Sequence, residues 1–254
     1  MARIVHIALK VEDLEKATRF YEEALGLRQT GTGHARGHIS RHMTDGEFDL
    51  ALMKYDTEDV HEAQLSGAGP CIHHWGIEVP DRHAAVKLIE ANGGTIISAR
   101  GEGALKFRAP DGTVAEIVGP GRYKRYDHTA PARVAHLAIK VRDLDAAAAF
   151  YRNVFGFEEV TTERRPQRAS RHMTDGRFDL SLSSADGARA PNEQSSDIGP
   201  RLDHWGVEVA DPDSFAAKIV ENGGKIVRKS DRATIFRAAD GTFGEMRTPD
   251  TWRD

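Results

Sequence analysis

Residues 4–26, IVHIALKVEDLEKATRFYEEALG, return without a gap at 134–156 as VAHLAIKVRDLDAAAAFYRNVFG, an offset of 130. SRHMTDGEFDL at 40–50 reappears as SRHMTDGRFDL at 170–180, and HWGIEV at 74–79 as HWGVEV at 204–209. PDGTVAE at 110–116 comes back as ADGTFGE at 239–245, now at an offset of 129. Self-similarity at a fixed offset marks a duplicated structural unit. The expected organisation is two tandem domains, 1–120 and 133–254, around a linker at 121–132 within the Gly-, Pro- and charge-rich run GPGRYKRYDHTAPA.

A fainter repeat divides each half again, into modules 1–66, 67–120, 133–196 and 197–254. Four strand-like segments carry a histidine at one place in the pattern: His6 in VHIALKV, His74 in HHWGIEV, His136 in AHLAIKV and His204 in DHWGVEV, spaced by 68, 62 and 68 residues. After each comes a helical stretch with Asp at its entrance (Asp13, Asp81, Asp143, Asp211) and Gly near its exit (Gly26, Gly93, Gly156, Gly223), the residues that favour helix starts and stops. Leu14, Ala17, Tyr21 and Leu25, like Leu144, Ala147, Tyr151 and Phe155, have the spacing of one buried helix face. Each quarter ends through Asp-Gly (Asp45-Gly46, Asp111-Gly112, Asp175-Gly176, Asp240-Gly241), a hairpin signal read here as a tight turn with positive φ at both residues. The expected fold is α+β, a βαβββ module repeated four times.

Alternation along a strand puts His6, Ala8 and Lys10 on one face and Ile7, Leu9 and Val11 on the other. The apolar set must pack against the helix, which leaves His6 facing a concave surface. The same division holds for His74, Gly76 and Glu78, and for the second-half copies around His136 and His204. Glu116 and Glu245 lie four residues past their turn glycines, on final strands that can reach the same point. Two sets, His6/His74/Glu116 and His136/His204/Glu245, therefore read as metal sites with open coordination positions. Such a set suits a divalent metal, Fe(II) first, with Mn, Ni or Zn as alternatives. A fourth ligand counted from Gly46 and Gly176 falls on Leu50 and Leu180, which cannot bind metal. Asp49 and Asp179, one residue away, would turn inward only through a bulge.

With 254 residues, 39% hydrophobic and 29% charged, the chain reads as soluble and globular. No run approaches the ~18 apolar residues of a membrane span, and MARIVHIALKVEDLE enters a strand pattern with no secretory signal, so a cytoplasmic protein is expected. A single cysteine, Cys71, excludes an internal disulfide and a Cys-based zinc cluster. The net charge of −4 without a basic block argues against nucleic acid as a partner. Small molecules are the expected partners, and a homo-oligomer is compatible with the sequence.

The opening H-x-A-[LI]-K-V-x-D-L…F-Y…G-[LF], the central H-W-G-[IV]-E-V and the closing D-G-T-x-x-E resemble the vicinal oxygen chelate superfamily, which includes glyoxalase I, type I extradiol dioxygenases, methylmalonyl-CoA epimerase and the bleomycin and fosfomycin resistance proteins. The resemblance spans nearly the whole chain. It implies a U-shaped sheet from paired modules around a divalent metal, held here by His6, His74 and Glu116, and by His136, His204 and Glu245. Two-domain length and three ligands look most like the extradiol dioxygenases, acting on a catechol-like compound with dioxygen. Glyoxalase-like lyase, isomerase or epimerase chemistry, and small-molecule sequestration, are the alternatives. The chain departs from the extradiol signature in having Lys106 and Ile235 where the family has a Tyr, with no nearby His.

His42 and His172 are candidates for acid/base or substrate contacts, against a structural hydrogen-bonding role. Lys10 with Glu78, and Lys140 with Glu208, are expected to form salt bridges on the sheet floor, with proton transfer as the alternative. His73 stands where the other half has Asp203, a surface or supporting position. His34, His38, His61, His83 and His128 are unmatched in the repeat and are expected to face solvent. Segments 54–69 and 183–199 are polar connections that read as lids or linkers.

Overall fold

A computed structural model describes residues 1–98, 104–165, 168–184 and 201–252. The first half runs β1 (Arg3–Lys10), α1 (Leu14–Leu25), β2 (Arg28–Ala35), β3 (His38–Thr44), β4 (Asp49–Tyr55), β5 (Cys71–Glu78), α2 (Arg82–Ala91), β6 (Thr95–Ile96), β7 (Leu105–Arg108) and β8 (Val114–Val118). The second repeats it as β9 (Ala132–Val141), α3 (Leu144–Phe155), β10 (Glu158–Arg165), β11 (Arg168–Thr174), β12 (Asp179–Ser184), β13 (Arg201–Val209), α4 (Pro212–Glu221), β14 (Lys225–Lys229), β15 (Thr234–Arg237) and β16 (Phe243–Arg247). This is βαβββ four times, as expected. Asp13, Asp81, Asp143 and Asp211 each accept backbone N–H bonds at a helix N-terminus, and Gly26 and Gly156 end α1 and α3 at φ of 73° and 71°.

Modules pair within each half. The sheet orders are β2-β3-β4-β1-β5-β8-β7-β6 and β10-β11-β12-β9-β13-β16-β15-β14. At each centre the two histidine-bearing strands run antiparallel, flanked by parallel partners (β4 and β8, β12 and β16). The central strands therefore bring residues from both modules onto one floor. Ile7, Leu9, Trp75 and Ile77 are buried on the opposite face, in a single apolar core shared with Leu137, Ile139, Trp205 and Val207 of the second half. Helices cross the divide, α1 packing on α4 and α2 on α3.

The four Asp-Gly turns differ from the tight turn read from sequence, because only the glycines, not the aspartates, take positive φ. One oxygen of each aspartate caps its own turn: Asp45 Oδ1 accepts from Glu47 N and Phe48 N at 2.9 and 2.8 Å, and Asp111 Oδ1 from Thr113 N at 2.9 Å. The other oxygen reaches the opposite half. Val134 N donates to Asp45 at 2.8 Å and Ile4 N to Asp175 at 2.7 Å. Tyr151 Oη donates to Asp111, and Tyr21 Oη to Asp240, both at 2.7 Å. A motif that reads as local turn chemistry thus also docks the halves. Among the described residues no helix is long and apolar enough to cross a membrane.

Candidate metal centres

Antiparallel pairing of β1 with β5 sets His6 opposite Gly76 and His74 opposite Ala8, while parallel pairing of β5 with β8 sets Glu116 opposite Gly76. The three side chains converge above that glycine. A Cβ on Gly76 would stand 2.9 Å from the His6 Cβ and 3.2 Å from Glu116 Oε1, so the H-W-G glycine is the space the cluster needs. One donor atom from each of His6, His74 and Glu116 lies within 4.8 Å of the others, and the same holds for His136, His204 and Glu245; all six residues are buried.

Supporting bonds decide which nitrogen each ring presents. His6 Nδ1 is 2.6 Å from Asp49 Oδ2, and His136 Nδ1 is 2.6 Å from Asp179 Oδ2. Their Nε2 atoms are left for the centre, and His136 Nε2 lies 3.3 Å from His204 Nε2. Asp49 and Asp179 reach the site without a bulge, since the continuous β1–β4 and β9–β12 registers pair His6 with Asp49 and His136 with Asp179. The expectation that a bulge would be needed is corrected by strand parity. The fourth-ligand position is corrected too: Gly76 corresponds to Ala8, so the counterpart of Glu116 is Ala51, and of Glu245 Ser181. The β3–β4 loop is one residue longer than a count from Gly46 assumes. Leu50 and Leu180 lie in the core.

Asp49 and Asp179 also hold His42 Nδ1 and His172 Nδ1, at 3.0–3.1 Å. A carboxylate thus bridges a cluster histidine to a second imidazole in each half. Burial pulls the His42 ring down, but Asp49 outweighs it and the ring is held up. Burial likewise works to raise the Asp49 and Asp179 carboxyls, and the imidazoles bring both below the usual range.

Lys10 and Glu78 do not meet, nor do Lys140 and Glu208. The antiparallel register sends each pair to opposite ends of the floor, with Lys10 opposite Cys71 and Arg3 opposite Glu78. Glu78 pairs with Arg3 at 2.5 Å and Glu208 with Arg133, whereas Lys10 Nζ bonds Glu58 at 2.8 Å and Lys140 Nζ stands 3.3 Å from Asp203.

Several contributing residues were hidden from the sequence reading. Bulges at His73 and Asp203 bring both to the floor, where His73 Nδ1 is 2.8 Å from His74 Nδ1, and Asp203 Oδ2 is 3.0 Å from His204 Nδ1. Tyr123 stacks on His6 at 4.5 Å and donates its hydroxyl to Glu116 Oε1 at 2.6 Å. Trp252 stacks on His136 at 4.1 Å, and Arg247 Nε donates to Glu245 Oε1 at 2.6 Å. Tyr123 and Trp252 are related by the same 129-residue offset as the D-G-T motifs. Extending the repeat past the last strand would have found them. Lys106, opposite Glu116 in the β7–β8 register, puts Nζ 4.0 Å from Glu116 Oε2 and 2.7 Å from Glu62 Oε1; Ile235 takes that place opposite Glu245.

The clusters differ electrostatically. Burial, with Lys106 adding to it, drives His74 well below its ordinary value, whereas burial at His204 is outweighed by Asp203 and Glu245, which hold that ring up at about 9. Segment 54–69 lies over the first concavity, with Ala63 fully buried among Ala8, Ala51, Met53 and Tyr55. Residues 185–199 of its counterpart lie outside the described residues. His34, His61 and His83 are exposed. His38 instead packs on Tyr55 at 5.0 Å, and His128 Nε2 is 3.0 Å from Gly26 O. A cavity of about 460 Å³ between the halves, lined by Arg3, Phe48, Tyr123, Arg133 and Phe178 among others, shares Tyr123 as a wall with the first cluster.

Several known proteins resemble this chain in sequence or in fold. A probable chloroplastic lactoylglutathione lyase from Arabidopsis thaliana is 27% identical over 184 residues, 65% of this chain and 47% of the relative, so the chain spans about half that protein's length. Three solved structures share the fold at 15–17% identity: a mutant 4-hydroxymandelate synthase from Streptomyces coelicolor (TM-score 0.73, 96% of this chain and 91% of that one), the halotolerant catechol dioxygenase BphC (0.64, 97% and 86%) and the Mn(II)-bound glyoxalase from Novosphingobium aromaticivorans (0.69, 98% and 83%). The profile of the glyoxalase/bleomycin resistance protein/dioxygenase superfamily matches residues 3–117 and 133–251. With both halves matched over nearly their full length, the chain belongs to the glyoxalase/bleomycin resistance protein/dioxygenase superfamily.

Proposed function

We propose that this chain is a metal-dependent dioxygenase of the extradiol type, acting on a small catechol-like compound. The observation that carries this reading is the three-donor cluster whose fourth pseudo-symmetric position is Ala51 or Ser181. Two imidazoles and one carboxylate fill one side of a coordination sphere. Buried lone-pair donors whose Nδ1 atoms are already engaged fit a divalent ion. A divalent ion held by His6, His74 and Glu116, or by His136, His204 and Glu245, iron(II) first, would supply Lewis-acid polarisation of adjacent substrate oxygens and the redox capacity for dioxygen chemistry.

The chain's own residues do the rest. Asp49 and Asp179 fix the His6 and His136 rings through Nδ1, which sets tautomer and direction. His42 and His172, tied by Nδ1 to the same carboxylates, keep Nε2 for a substrate hydroxyl and are the candidate proton acceptors. Tyr123 and Trp252 cover one side of each cluster and exclude water there.

Lyase or isomerase chemistry on a bound carbonyl is the second reading, favoured by the names of the sequence relatives. Oxygen consumption separates the two. The iron(II)-loaded protein is expected to take up oxygen with catechols, one O₂ per diol consumed. Equal turnover without oxygen, supported by nickel or zinc, would establish the second reading instead.

A further inference from the structure

We infer that the first half selects substrates carrying a carboxylate beside their vicinal oxygens, with Lys106 as the selecting residue and Lys10 as a second anchor of the segment that covers it, an inference that rests on the metal-dependent reading of the site. Both lysines are almost wholly buried, at 2% and 5% exposure. A buried ammonium is tolerated only with close partners. The anions that pair with them come from one segment, the connection between β4 and β5: Lys10 Nζ bonds Glu58 Oε2 at 2.8 Å, and Lys106 Nζ stands 2.7 Å from Glu62 Oε1. Lys10 also bonds the Gly67 and Ala63 carbonyls, at 2.7 and 3.5 Å, in the same segment. Arg36, 3.5 Å from Glu62, is a further cation on that carboxylate.

This segment occupies substrate space. Ala63 is packed on Ala8 and Ala51, residues of the floor beside the donor cluster, so a molecule approaching the cluster from that side displaces the segment and takes Glu58 and Glu62 with it. Lys106 is then left at the edge of the cluster without Glu62, its nearest counter-ion, and with only the more distant Glu116 Oε2 at 4.0 Å. A neutral diol leaves that charge without the close partner it had in Glu62. A diol bearing a carboxylate restores the pair that the segment gave up. Among the described residues of the second half no such arrangement is found: Lys140 stands 3.3 Å from Asp203, a residue of its own floor, and Ile235 fills the place of Lys106.

Calorimetric titration of the metal-free protein with 3,4-dihydroxybenzoate and with catechol tests this, since the two probes differ by one carboxylate. The benzoate is expected to bind about tenfold or more tightly than catechol, the worth of one charge-assisted hydrogen bond. Lys106→Ile should abolish the preference. Glu62→Gln should strengthen binding of both probes several-fold, because the segment then gives up no ion pair with Lys106, and should leave the benzoate preference in place, a result that stays readable if Lys106→Ile fails to fold. Equal affinity for the two probes, no binding of either, or a preference that survives Lys106→Ile would overturn the inference. Failure of metal to bind while the preference persists would sink only the metal reading; a lost preference with metal still bound would sink only this one.

Discussion

The two halves present one donor set on two different supports. His6, His74 and Glu116 match His136, His204 and Glu245, and Asp49 matches Asp179, down to the same 2.6 Å bond to the first histidine. Around them the likeness stops. The second histidine leans on His73 in one half and Asp203 in the other. The outer carboxylate oxygen takes a phenol hydroxyl in one and a guanidinium in the other, and the facing wall carries Lys106 or Ile235. Between the two copies the proposed ligands and the carboxylate beside them are the same, while the groups that set charge and access differ.

The largest effect that can break this comparison is loss of a whole site. His74→Ala and His204→Ala are each expected to remove about one metal per chain by elemental analysis; an unchanged count in either variant would show that half to be empty. Next is the support of the second histidine. A carboxylate behind a ligating imidazole typically contributes 10–100-fold in affinity, so Asp203→Asn should weaken one of two binding phases by about that factor in a calorimetric metal titration and leave the other in place. Weakening of both phases would mean that the centres are coupled.

Gly206→Ala sharpens the contrast at the caps. Its Cβ would stand 2.6 Å from the Trp252 ring and 2.9 Å from the His136 Cβ, so the indole must move. A cost of about 1–3 kcal/mol in denaturant unfolding is expected, with a change in tryptophan fluorescence. Gly76→Ala has no such indole and presses instead on His6 and Glu116. Of similar size are Tyr21→Phe and Tyr151→Phe, each of which strands a turn aspartate of the other half and should cost about 1–3 kcal/mol, alike in the two. A clear inequality would show that the halves do not share their interface evenly.

A pH comparison completes the set. In the metal-free protein His204 is held up at about 9 by Asp203 and Glu245, whereas burial keeps His74 well below its ordinary value. A raised imidazole stabilises the fold fully below its unfolded value near 6.5 and loses that contribution as pH rises through about 9. Thermal unfolding of the metal-free protein should therefore fall between pH 6.5 and 9.5, and the fall should shrink in Asp203→Asn. An identical slope in that variant would assign it to other groups.

The duplication, the βαβββ module and the facing of the four histidines were legible in the chain, because strand and helix periods are local and a repeat exposes them twice. Proposed site residues lying on the repeat were legible for the same reason. The expected Lys10–Glu78 pair failed because a shared face says nothing about position along it, and antiparallel register sends the two residues to opposite ends. Asp49 was misjudged because counting from a turn glycine assumes equal loop lengths in all modules. The roles of His73 and Asp203 depend on bulges, which alternation alone cannot locate.

Periodicity and repetition along the chain determine which residues share a face, since a strand alternates and a helix returns its face every three to four residues. Which of those residues touch is decided only by tertiary pairing. Register, bulges and the segments after β8 and β16 set whether a carboxylate, an imidazole or an ammonium stands within hydrogen-bonding reach of the proposed ligands. Forces between such groups fall off over a few ångströms, so a shift of one residue in register replaces one supporting group by another.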